Sequence, residues 1–189
     1  MTKSPPKSPP KSPPKSPPKS KPKTKPKSKP KTKPKTKPKS RATAAAALRV
    51  QYGALPYRET AARGLEILLL TSRRTQRWIV PKGWPIKGLK QAEAAAREAY
   101  EEAGVRGTIR RKPIGAYIYD KLLDETGITV PCEVKLFALR VTRQEKHWPE
   151  QAQRETRWLP AATAAATADD EGLRTLIATF VPKKPKPRK

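Results

Sequence analysis

Acidic side chains are missing from the first 40 residues, which hold 15 lysines. From Lys3 to Ser40 there is also no aromatic and no aliphatic residue, and the chain repeats every four residues, first as SPPK and then as KPKS or KPKT. Nothing in that stretch can be buried to offset chain entropy, proline blocks helices and ladders, and the lysines repel one another; a folded core is excluded. Residues 1–41 are expected to be a disordered, partly polyproline II arm. Without aromatics to stack on bases, or a helix to enter a groove, sequence-specific nucleic-acid reading is excluded too. What remains is non-specific contact of residues 3–40 with DNA or another polyanion, favoured over a purely solubilising linker.

Cysteine occurs once, at Cys132, so there is no internal disulfide and no thiolate cluster, as suits a reducing cytosol. Its context, VPCEVKLF, alternates as a strand does, which makes it a packed strand thiol rather than a nucleophile. The single histidine, His147, sits in a polar loop and reads as a loop residue rather than a general base. No run is apolar for the length of a membrane helix, and no apolar segment follows the N-terminal lysines. The expectation is a soluble, unexported protein without membrane insertion, cytoplasmic, with the arm favouring association with the nucleoid.

The 43 Lys and Arg against 16 Asp and Glu give a formal charge of +27, unevenly spread. Five basic residues crowd the tail, 183–189, whereas residues 42–182 carry 22 basic residues against all 16 acids. That middle is mildly basic and the size of one ordinary domain. Its elements follow from periodicity. Ala44 to Leu55 reads as a strand leading into a turn at Leu55-Pro56, Leu65 to Thr71 as a buried strand, and Arg77 to Val80 as a short strand ended by Pro81. Lys82 to Pro85 turns the chain. Gln91 to Ala103 is rich in helix formers and stops at Gly104, with Ala92, Ala95, Ala96 and Ala99 as a flat stripe for a sheet and the carboxylates facing outward. Strands follow at 108–111, 114–122 and 128–141, the last two joined by a turn at Asp124-Glu125-Thr126-Gly127. One more strand spans 155–159, and helices over 161–168 and 170–180 close the chain.

The densest chemistry lies in Arg97-Glu98-Ala99-Tyr100-Glu101-Glu102-Ala103-Gly104. Glutamates three and four apart share a helical face, so Glu98, Glu101 and Glu102 can converge, and Arg97 stands four before Glu101 and can brace it. Three like charges that close call for a cation among them, which points to a cage for a hard divalent metal. The plainer reading is a solvated face with intrahelical ion pairs.

Spacing decides between the two. Gly83, followed at the right distance by Arg97-Glu98 and Glu101-Glu102-Ala103-Gly104-Val105, resembles the Nudix box, and Trp78-Ile79-Val80-Pro81-Lys82-Gly83 is similar to the entry of its diphosphoinositol polyphosphate and diadenosine polyphosphate hydrolase branch. The box departs at Leu89, where the family has its first Glu, a usual outer support of the metal site. The resemblance covers Trp78 to Val105 closely and Ala42 to Val181 in layout, and neither tail. It implies an α/β (α+β) fold, a Nudix-type α/β/α sandwich with a mixed sheet and a catalytic helix, and Mg²⁺ or Mn²⁺ as cofactor. It implies Glu101 and Glu102 as principal metal ligands, Glu98 as ligand or general base, Arg97 orienting a glutamate, and Gly83 offering a backbone carbonyl. The substrate class implied is a nucleoside or inositol polyphosphate, with cleavage of a phosphoanhydride. Lys82, Arg77 and Arg74 are positioned to clamp a polyphosphate, although surface solvation serves Arg74 equally well, and Trp84 to line the pocket. Two other readings stay open: a catalytically weakened ligand-binding domain, suggested by Leu89, and a polyanion-associated factor acting mainly through its arm.

Overall fold

A computed structural model describes residues 48–123 and 127–183. The expectations for the arm, the far tail, the start of the first strand and most of the 124–127 turn lie outside those residues. Within them the strands are β1 (Arg49–Thr60), β2 (Gly64–Thr71), β3 (Trp78–Ile79), β4 (Lys82–Gly83), β5 (Val105–Ile109), β6 (Gly115–Leu122), β7 (Thr129–Gln144) and β8 (Thr156–Pro160). The α-helices are α1 (Gln91–Ala103), α2 (Ala161–Thr167) and α3 (Glu171–Ala178). The strands form one mixed sheet in the order β3-β2-β1-β7-β5, with β4 added to β1, β6 to β7 and β8 to β2. Only the central β1–β7 pair is parallel among these pairings.

Side chains of a strand alternate between faces, so β2 serves two cores. Ile67 and Leu69 point to one, with Leu55, Tyr57, Val134, Leu136 and the helical Ala164, Leu173 and Ile177. Leu68 and Leu70 point to the other, with Phe137, Leu139 and the alanines of α1. Near-continuous apolar runs are what a sheet covered on both faces requires. Helices on both sides make an α/β/α sandwich, the layout implied by the resemblance.

Several boundaries differ from the periodicity reading, each for a local reason. β1 does not turn at Pro56 but runs to Thr60: on one edge it pairs with β4 through Tyr52 and Gly53, then with β2 from Tyr57 onward, and Pro56 falls in the gap, where its missing N–H costs no ladder bond. β5 starts at Val105 rather than 108, because Gly104, at φ 68°, reverses the chain directly into the sheet. Lys82-Gly83, expected only as a turn, is also a two-residue strand on β1. Helix α1 matches its predicted bounds; its buried stripe includes Ala94, whereas Ala96 is half-buried. The β6–β7 hairpin pairs through Leu122↔Thr129, and Cys132 is buried in β7.

Candidate active site

Helix α1 lies with its alanines on the sheet, and the small side chains let its last turns come close to β4. At that contact Glu98 rests on Gly83: a Cβ at position 83 would stand on the Glu98 carboxylate. Glu102, one turn on, is buried, which corrects the expectation that the helix's carboxylates all face outward. It can be buried because it is satisfied: Oε2 accepts the Lys82 backbone N–H at 3.1 Å, and Oε1 is paired with the Arg154 guanidinium. Glu101 points elsewhere. It pairs with Arg97 along the exposed side of α1, the brace expected from the four-residue spacing.

Glu98 and Glu102 line a cavity of about 750 Å³ together with Gly83, Lys82, Trp84, Arg74 and Arg77. Glu101 and Arg97 do not line it, so the three box glutamates do not converge as the helical spacing suggested. Among the described residues no three His, Cys, Asp or Glu side chains gather closely enough to enclose a metal ion by themselves. The donor set still suits a hard cation, and magnesium characteristically takes one or two carboxylates and completes its shell with water and substrate phosphate. Glu98 against the uncluttered Gly83 backbone, with Glu102 beside it, fits that mode. Leu89 lies outside this cavity, 43% exposed, in a surface hollow with Glu93, Arg97, Tyr100 and Arg106.

Basic side chains line the same cavity, among them Arg73, Arg74, Arg77, Lys82, Lys121 and Arg154, interspersed with Asp120, Glu150 and Asp170. The loop from Ser72 to Arg77 closes on itself through the Ser72 N–H on the Arg77 carbonyl at 2.8 Å. It presents Arg73, Arg74 and Arg77. Arg77 is tied to the buried Asp170, and Arg74 donates to the Leu123 carbonyl at 3.3 Å. Lys82 places its ammonium 5.0 Å from the Tyr119 ring centre, and Lys121 stands 5.4 Å from that of Trp84. Tyr119 in turn donates to the buried Gln51 at 2.6 Å.

Burial is the main influence on the ionisable groups. It pushes Glu98 up to about 7, helped by the carboxylates of Glu102, Glu101 and Glu150 and opposed by Arg154. It raises Glu102 as well, against Arg154 and Lys82. Burial draws Lys82 down to about 8, against Glu102 and Asp170. Perturbed acids and a perturbed base facing one cavity are the pattern of a reactive site.

Sequence reasoning missed Glu150, Arg154, Gln51, Tyr119, Lys121 and Asp170, all in the cavity lining. For Glu150 and Arg154 a signal existed, since the loop from His147 to Arg154 interrupts two strands; His147 itself is exposed and outside the cavity. The others sit in ordinary strand or helix-cap positions that carry no local mark.

The family described as NUDIX domain matches residues 47–180. Two relatives from Arabidopsis thaliana, Nudix hydrolase 12 and Nudix hydrolase 13, both mitochondrial by name, are 34% and 31% identical over 119 and 121 residues. Each alignment covers 62% of this chain, and the chain spans only 59% and 60% of their respective lengths. Among solved structures, the C. elegans Ap4A hydrolase has a TM-score of 0.50 at 22% identity, covering 69% of this chain and 94% of that one. The E. coli dihydroneopterin triphosphate pyrophosphohydrolase has a TM-score of 0.53 at 20% identity, covering 70% and 94%. At those identities the structural likeness is one of fold.

Proposed function

The chain belongs to the Nudix family, and on that basis we propose that it is a metal-dependent pyrophosphohydrolase cleaving a phosphoanhydride bond in a nucleoside or inositol polyphosphate. The observation that carries the reading is the cavity that brings Glu98, Glu102 and Gly83 together with Arg73, Arg74, Arg77 and Lys82. A polyphosphate is a chain of negative oxygens, so it needs cations along its length and a carboxylate only where a metal or a proton must be handled. The cavity holds groups of both kinds in one lining.

When bound, Mg²⁺ or Mn²⁺ neutralises phosphate charge and makes a coordinated water more acidic. Glu98 and the Gly83 carbonyl would hold it, with Glu102 alongside. In the alternative to serving as a ligand, Glu98 is the general base that takes a proton from an attacking water. Glu102 is held by Lys82 and Arg154, and therefore keeps α1 and β4 in register. Arg97 orients Glu101 at the outer edge. Arg77 and Lys82 grip the phosphates, Arg74 meets the distal end, and Trp84, 40% exposed, forms the rim.

The domain is assigned to 42–182, with the basic arm at 1–41 and the tail at 183–189. Among the described residues no helix is long and apolar enough to cross a membrane. Our reading keeps the protein in the cytoplasm on the strength of the basic arm, which would hold it near polyanions. The test is a panel of dinucleoside polyphosphates, diphosphoinositols and nucleoside triphosphates, with Mg²⁺ and with Mn²⁺. Metal-dependent release of a phosphorylated product, reduced at least about a hundredfold by Glu98→Gln, is expected. No release from any member of the panel, with Glu98→Gln and Glu102→Gln indistinguishable from the parent, overturns the reading.

A further inference from the structure

Strand β5 stands at one end of the sheet order, beside β7. The register sets Arg140 of β7 between Thr108 of β5 and Tyr57 of β1, and Arg106 opposite Arg143. The Arg110 N–H donates to the Ala138 carbonyl at 2.9 Å, which fixes where the chain leaves β5 for the bend at Arg111 and Lys112. Arg111, Lys112 and Arg140 are exposed and Arg110 is half-buried. Glu145 is shared by Arg106 and Arg143 at 3.0 Å each. Among the described residues the side chains of Arg110, Arg111, Lys112 and Arg140 are in no ion pair. Burial raises the Tyr57 hydroxyl while Arg140 and Arg110 oppose the rise and Glu59 adds to it, so both arginines converge on that ring. Phe180 meets Tyr57 edge-on at 5.1 Å between ring centres, and the run 183–189 with its five basic residues therefore departs from the same place.

We propose that this end of the folded domain, with Arg110, Arg111, Lys112 and Arg140, is a docking surface for the phosphate backbone of duplex DNA, in addition to the arm. Charge complementarity selects the occupant. A duplex carries one negative charge per ~1.7 Å of its axis, and neutralising its phosphates releases condensed counterions. Tyr57 is buried and Phe180 is packed against it, so the patch has no aromatic platform on which unpaired bases could stack.

The plainer role of charge on an outer strand is to stop sheets from joining edge to edge. Charge of either sign serves that purpose, whereas this patch gathers one sign and leaves four of its members without a carboxylate partner. The surface also lies away from the cavity. Gln51, in the cavity lining, pairs with Val134, and Tyr57 pairs with Arg140 six residues further along both strands, roughly 20 Å at strand rise. DNA held at this end leaves the cavity open, and the inference does not depend on what the cavity hydrolyses.

The experiment compares two triple variants of the full chain that lose the same net charge. Arg111→Gln with Lys112→Gln and Arg140→Gln empties the patch, and Arg49→Gln with Lys87→Gln and Lys146→Gln removes exposed charges elsewhere. Binding to a labelled short DNA duplex is read by fluorescence anisotropy across a salt series. The patch variant should lower the slope of log K against log salt by about 2–3, at about 0.9 per phosphate, and raise Kd at about 150 mM salt at least fivefold. The control should shift the slope by less than about 1. Arg111→Gln with Lys112→Gln, confined to the bend after β5, should lower the slope by about 2 and gives the reading even if replacing Arg140 disturbs the sheet. Equal losses in the two triple variants reduce the effect to net charge and overturn the inference, as does an unchanged slope in the patch variant. Weakened binding to a single strand or to polyaspartate, with duplex binding kept, assigns the surface to another occupant and overturns it too.

Discussion

Glu98 and Lys82 share the cavity with opposite discomforts, and together they predict how the metal-free protein responds to pH. The Glu98 carboxyl titrates near 7 in the fold and near its ordinary 4.5 when unfolded. The folded state therefore holds the proton longer, and stability falls as pH rises from 4.5 to 7. Lys82 titrates near 8 folded and 10.5 unfolded, so stability rises again from pH 8 to 10.5. Between about 7 and 8 both groups are charged and poorly solvated. Thermal unfolding in the presence of a chelator should therefore show a minimum in that window, and added Mg²⁺ should fill it; a monotonic profile counts against the assignment. Two substitutions separate neighbouring residues by role. Gly83→Ala pushes the end of a flexible carboxylate rather than backbone, so it should lower turnover by about a hundredfold while changing stability by about 1 kcal/mol or less. Leu89→Glu adds an acid beside Arg97 but outside the cavity, and should fall far short of the 10–100-fold effect typical of an outer support to a metal site. A large gain from Leu89→Glu, measured on the same substrate, would instead mark a degenerate, ligand-binding domain.

Helix α1 shows how much of an element's construction is written locally. Its span could be read to the residue because Ala, Glu, Arg and Gln favour helix and Gly104 provides the left-handed stop at φ 68°. That glycine has a second constraint invisible in the sequence: a Cβ there would come within 2.6 Å of the Trp148 ring. Gly88, at φ 86°, has nothing within 4 Å of the same hypothetical atom. Gly88→Ala should then cost only the backbone term, about 1 kcal/mol, and Gly104→Ala roughly 3 kcal/mol, as measured by urea unfolding. Equal costs would mean that Trp148 yields freely. The same division explains what the sequence reading of the site missed. The Arg97–Glu101 pair lies four residues apart and was legible as helical spacing. The Arg154–Glu102 pair lies 52 residues apart and turns a glutamate inward against the amphipathic pattern. Likewise Pro56 reads as a turn by composition, and only the handover of β1 from β4 to β2 makes room for it within a strand. Periodicity reports neighbours along the chain; burial of a charge is settled by partners that arrive from far along it.

For the molecule as a whole, the charge is divided between parts with different work. The stretch from 42 to 182 is close to balanced, with 22 basic and 16 acidic residues, and its basic side chains in the cavity are largely engaged locally. The arm contributes 15 lysines with no acid to pair them. If the arm acts as a tether, it should govern attachment to polyanions and leave turnover of a small, freely diffusing substrate alone, because tethering raises local concentration without touching the site. Removing residues 2–40 should reduce binding to duplex DNA or to a long polyanion by about a hundredfold or more at 50 mM salt. It should also flatten the dependence of log K on log salt, whose slope counts the phosphates neutralised. Over the same change, kcat/KM on the best small polyphosphate should stay within about twofold. Binding by filter retention across a salt series, paired with initial rates on the same preparations, reads both quantities. Loss of turnover in step with loss of binding would mean that the arm reaches the cavity itself, and equal binding by both forms would remove the arm from any role in attachment.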